Sequence, residues 1–173
     1  MAEGYMTSGI DKQKLYGIII YTVVTSFISA AGLIFLLVEI PESGQGSPDV
    51  FKQVFWMTVL AMFAAGIIGG CLYNFRGIIL HTADKNYDDS YTITYILRPV
   101  LGGVSGLTVF FILMGGVMTF NLGTDSGQDG WLTFMGRMPY VGMAVLAGYA
   151  SQEFMMKLKD VAKTLFKVSD ENQ

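Results

Sequence analysis

The sequence predicts an all-helical integral membrane bundle of four transmembrane helices with both termini in the cytoplasm. Three observations predict it. Of the 173 residues, 52% are hydrophobic and only 14% are charged, where soluble domains carry about 25% charge. Uncharged stretches recur at a length that suits a bilayer. The basic residues gather on alternate connections.

A helix crosses the hydrocarbon core in roughly 20 apolar residues. Leu15 to Val38, Gln53 to Phe75 and Pro99 to Leu122 contain no charge and meet that length. Pro99 is expected at the start of the third helix, where a missing N–H costs little. The fourth run, Met138 to Gln152, is shorter and continues through Glu153 to Met156 before Lys157. It spans only if Glu153 lies at the interface or is paired. A soluble core is disfavoured because its helices would show a polar face. The first run is too long for a cleaved signal, and three more follow. We therefore expect one membrane domain over residues 1–173, with helices at about 14–39, 51–80, 96–122 and 137–167.

Orientation follows from the eleven Lys and Arg residues. Lys12, Lys14, Arg76, Lys85, Arg98, Lys157, Lys159, Lys163 and Lys167 fall on one side, and only Lys52 and Arg137 on the other. The positive-inside bias puts the first set in the cytoplasm. Trp56 and Trp131 then fall near the outer interface, which suits indoles. Glu39–Lys52 and Gly123–Arg137 read as irregular outer loops, and Gly77–Leu97 as a polar inner loop. The Lys-and-apolar alternation after Lys157 reads as a cytoplasmic amphipathic extension of helix 4. The expected location is a cytoplasmic membrane. Ala65-Gly66 and Ala147-Gly148, each before a polar helix end, are the one trace of an internal repeat.

Each helix carries small residues at four-residue spacing, which lets backbones approach. Helix 1 has Thr22, Ser26 and Ala30. The main seams are Ala61, Ala65 and Gly69, then Gly102 and Gly106, then Ala144 and Gly148. They serve either the chain's own bundle or a subunit interface. Their number exceeds what a minimal bundle requires, so an oligomer is expected.

Glu153 is the acid of most interest. It and Arg98 end antiparallel helices at similar depth, and Arg76 ends helix 2. An acid at a membrane edge is costly unless paired. Glu153 is therefore expected to pair with Arg98 or Arg76, as a staple, as a gate or ion site, or else to pair with Lys157 one turn on.

The other candidates are weaker. Asp84, Asn86 and Asp88 share the spacing of the first ligands of a calcium loop, but Asp89 and Tyr95 replace the glycine and the glutamate such a loop needs. A solvated turn is the simpler reading. Asp125 and Asp129 could gather cations at a pore mouth or simply line a polar loop. With one cysteine, Cys71, and one histidine, His81, no disulfide and no Cys/His metal set forms within a chain. Cys71 reads as a small buried residue, and the methionines read as packing. No cofactor and no enzymatic constellation is expected, and the net charge of −3 disfavours nucleic acid.

Several pieces resemble a widespread, largely uncharacterised family of small four-helix bacterial membrane proteins. They are Gly69-Gly70 followed by Arg76, Tyr95-Ile96-Leu97-Arg98-Pro99-Val100-Leu101-Gly102, and Gly148-Tyr149-Ala150-Ser151-Gln152-Glu153-Phe154. Lys157-Leu158-Lys159-Asp160-Val161 and Leu165-Phe166 extend the resemblance over residues 66–167. Gln152 divides the family's Ser-Glu pair. The resemblance implies a bacterial membrane module with arginine and glutamate at one helix-end level, and no established activity.

The sequence thus points to a non-enzymatic, homo-oligomeric membrane protein, a pore or ion channel or a membrane scaffold. A pore should line its axis with Thr22, Ser26 or Ser29. The alternative is an accessory subunit of a larger membrane complex of respiratory, photosynthetic or oxygenase type. A transporter is third, because four short helices would have to dimerise around a site.

Overall fold

A computed structural model describes residues 12–40, 48–84, 91–115 and 134–166. Among them every regular element is a helix: α1 (Lys12–Glu39), α2 (Pro48–Asp84), α3 (Tyr91–Met114), α4 (Phe134–Tyr149) and α5 (Ser151–Phe166). Three are long and apolar enough to cross a membrane, through Tyr16–Glu39, Asp49–Leu80 and Ile93–Met114. The fourth, α4, has 16 residues. At ~1.5 Å per residue that is about 24 Å, short of the ~30 Å hydrocarbon core.

The helix ends follow from local chemistry. Pro48 opens α2 with Asp49 in the first turn, where a missing N–H and a negative charge are both tolerated. Across the turn at Ala150 the Ala150 N–H donates to Leu146 O (2.9 Å) and the Phe154 N–H to Ala150 O (2.8 Å). The ladder therefore carries on from α4 into α5. Met155, Met156 and Val161 of α5 are exposed apolar side chains.

Three expectations need correction. The irregular outer loops expected over 39–52 and 123–137 give way to helix at their ends, because α2 begins at Pro48 and α4 at Phe134, which puts Arg137 inside α4. The stretch expected as an inner loop, 77–97, is largely helical, because α2 continues to Asp84 and α3 begins at Tyr91. Pro99 consequently lies inside α3 rather than at its start. Residues 91–98 contain no glycine or proline, so no strong helix breaker precedes Pro99. Asp84 closes α2, while Asn86, Asp88, Asp125, Asp129 and Trp131 lie outside the described residues.

Helix α2 is the hub. α1, α3 and α4 each pack against it, and α3 packs on α4. Met62, Ala61, Ala65, Phe110 and Ala144 form the heart of the core. The α2–α3 contact is antiparallel and backbone-close. A methyl group built on Gly106 would stand 2.7 Å from the Met62 carbonyl oxygen, and one on Gly70 would stand 2.7 Å from that of Arg98. Between these points Gly102 and Gly148 both abut Gly66, and Gly69 abuts the backbone of Val145 and Tyr149. The predicted seams on α2, α3 and α4 thus close this chain's own bundle. On α1, Thr22 is fully buried, and the Ser29 hydroxyl donates to Ala64 O across to α2 (2.8 Å). The opposite face of α1 is large and apolar, with Ile20, Phe27, Ile28 and Phe35 exposed, as contact with lipid tails requires.

Candidate functional site: an arginine–tyrosine cavity at one end of the bundle

Neighbouring ends of α2, α3, α4 and α5 build the site. α3 carries Pro99, and a proline inside a helix deprives the carbonyl four residues earlier of its donor. That carbonyl belongs to Tyr95. The side-chain amide of Asn74, fully buried on α2, donates to it at 2.7 Å. Within a membrane a freed carbonyl must find such a partner. The next carbonyl, that of Ile96, accepts from the Tyr21 hydroxyl of α1 at 3.3 Å. With its backbone pinned in this way, α3 delivers Arg98 to the end of α2.

There the Arg98 guanidinium lies 4.2 Å from the centre of the Tyr73 ring and 5.6 Å from that of Tyr95. A cation over an aromatic face is attracted by the ring quadrupole. Gly77 provides the room, since a methyl there would sit 3.0 Å from the Tyr95 hydroxyl and 3.5 Å from Arg98 Nη1. The Nε of Arg98 is buried and has no hydrogen-bond partner among the described residues.

Arg76, exposed one turn before Leu80, donates from Nη1 to the Tyr149 hydroxyl at 3.0 Å. The Tyr149 ring meets Tyr73 edge-on at 5.6 Å and 63°. These side chains line a cavity of about 330 Å³ with Gly77, Leu80, Ala150 and Glu153. Arg76, Arg98 and Glu153, singled out from the sequence, thus border one space. The hydrogen bond Arg76 makes is to Tyr149, while Glu153 is exposed on the rim, close enough to act on the charge of Arg76. Tyr73, Tyr149 and Asn74 are the members that sequence reasoning does not single out. An asparagine in one apolar helix, with a proline placed in the next, is the available signal.

The lining offers cations, tyrosine hydroxyls and one carboxylate. Among the described residues that line it there is no serine, cysteine or histidine. Among the described residues no group of three His, Cys, Asp or Glu gathers to hold a metal. Cys71 lies on α2 close by in sequence but is fully buried. At the opposite end, around Ile40, Val54 and Tyr140, Arg137 of α4 is also fully buried.

Fold and site together define a class: a helical membrane bundle with a two-arginine cavity at one helix-end level. No protein-family model matches the chain, and no solved structure matches it.

Proposed function

We propose that this chain is a non-enzymatic membrane scaffold that assembles with copies of itself in a bacterial cytoplasmic membrane. In this reading α4 and the first turn of α5 make a fourth crossing, parallel to α2, and both termini face the cytoplasm. The observation that carries it is the isolation of α1. Only 17% of its spanning window is buried, and Gly32 in its second half has nothing within 4 Å. A helix so little covered, with an open small-residue position, can accept a neighbouring helix at close range.

Scaffolding is favoured over conduction. Of the residues expected to line an axis, Thr22 is buried with its hydroxyl donating to Ile18 O of its own helix, Ser29 donates to Ala64 O of α2 and Ser26 is half-buried.

The second reading, an accessory subunit of a larger membrane complex, is favoured by α5. Its exposed Met155, Met156 and Val161 stand beside exposed Lys157 and Lys159, a surface suited to another subunit.

Purification in mild detergent followed by native mass measurement separates these readings. A homo-oligomer that weakens on Gly32→Leu, with no ion flux in liposomes, supports the scaffold. A monomer, or stoichiometric foreign subunits, defeats it, and flux that depends on assembly moves the assignment to a pore.

A further inference from the structure

We infer that the arginine–tyrosine cavity binds a phosphate-type oxyanion. The site lies within one chain, so the inference is independent of the oligomeric reading.

Four features lead to this ligand. The first is donor chemistry. Arg76 and Arg98 border one cavity, and each guanidinium carries a planar fork of donors that matches phosphate oxygens. Arg76 engages a tyrosine hydroxyl rather than a carboxylate. Arg98 is held by aromatic faces, and stacking on a ring leaves in-plane N–H groups able to donate. Tyr149 accepts from Arg76, so its own O–H proton can be given to a ligand.

The second feature is charge. Among the described residues the lining holds two arginines and one glutamate, a surplus of one positive charge that a single phosphodiester anion would cancel. Glu153 stands on the rim, so the anion belongs on the arginine side of the space.

The third is placement. Arg76 lies four residues before Leu80 and Arg98 five residues after Ile93, the neighbouring ends of two apolar stretches, and a charge set beside apolar helix is costly without a counter-ion. The fourth is size. A cavity of about 330 Å³ has room for roughly ten water volumes, enough for a phosphate with a glycerol-sized substituent.

The phosphate could come from a lipid headgroup or from solution, and titration of the full-length protein in mild detergent distinguishes them. Three probes are used: short-chain phosphatidylglycerol, the matching diacylglycerol without phosphate, and inorganic phosphate. Binding of the phospholipid but not the diacylglycerol supports a headgroup site. Saturable binding of inorganic phosphate without the lipid supports the oxyanion from solution. In either case Arg98→Gln and Arg76→Gln should each weaken binding about tenfold or more. Arg98→Lys, which keeps charge but loses the fork, should recover only part of it. Tyr149→Phe should weaken binding severalfold with the ring packing kept. Should Arg98→Gln fail to fold, Arg76→Gln decides alone, because its side chain is exposed. The inference is overturned if no phosphate-bearing probe binds, or if folded Arg76→Gln protein binds as tightly as the parent.

Discussion

Asn74 donates its side-chain amide to the Tyr95 carbonyl at 2.7 Å, the carbonyl that Pro99 leaves without a helical donor. A polar residue in the middle of one helix thus repairs a defect built into another. The two residues must be read together, since neither has a physical reason for its place without the other.

Removing the donor should therefore cost stability only while the defect is present. Asn74→Leu is expected to destabilise the protein by about 1 kcal/mol, the scale of hydrogen bonds between membrane helices. In a Pro99→Ala background, where the backbone N–H restored at position 99 can serve Tyr95, the same change should cost clearly less. Unfolding of the two singles and the double in detergent gives the coupling. Simple additivity would remove the proposed link between them.

The glycine contacts give a second prediction. Gly66 is approached by both Gly102 and Gly148, so a side chain there must push two helices away at once. Gly66→Val is expected to cost about 2 kcal/mol or more, through overpacking without room to relax. Gly17→Ala, inside α1 with nothing within 4 Å, should instead stabilise by up to about 1 kcal/mol through helix propensity. Thermal melts of the pair provide the comparison.

The Arg98–Tyr73 contact should depend on the ring and not on the hydroxyl. Tyr73→Phe keeps an aromatic face under the guanidinium and should be nearly neutral. Tyr73→Leu should cost about 1 kcal/mol through loss of the cation–π attraction. Equal losses in both variants, measured by denaturant unfolding, would point to the hydroxyl instead.

Cys71 is fully buried and free. A thiol in that position is shielded from reagents until the helices part. Maleimide labelling of the folded protein in detergent should proceed far more slowly than after denaturation. Rapid labelling of the folded state would show that the α2 packing opens readily.

Much of this architecture is legible in the sequence, for a definite reason. An uncharged run long enough to cross a bilayer has few alternatives to a helix, and α1 ends at Glu39, where the first run meets its first charge. Helix direction alone also puts Arg76, Arg98 and Glu153 at one level. The start of α3 is not legible, because Pro99 suits a helix start better than a helix interior until Asn74 is known to stand opposite. The destination of the small-residue seams is equally hidden. Four-residue spacing states that a helix can be approached closely, but not by which neighbour. Nor does the sequence show that Arg76 meets Tyr149, a contact made by two helices whose relative rotation no single run of residues encodes.

The glycine seam between α2 and α3 has one property that its closeness conceals. Gly102 lies against both Gly66 and Gly70, and Gly106 lies against both Met62 and Gly66. Where backbone rests on backbone, these glycines put up no side chain of their own to catch on the opposite helix. The glycine contact sets how near the two helices lie and by itself adds little to their register. The Asn74–Tyr95 hydrogen bond is directional, and only one carbonyl on α3 has lost its donor to Pro99. One amide acts as the index mark on a sliding scale, and with it goes the height at which Arg98 meets Tyr73.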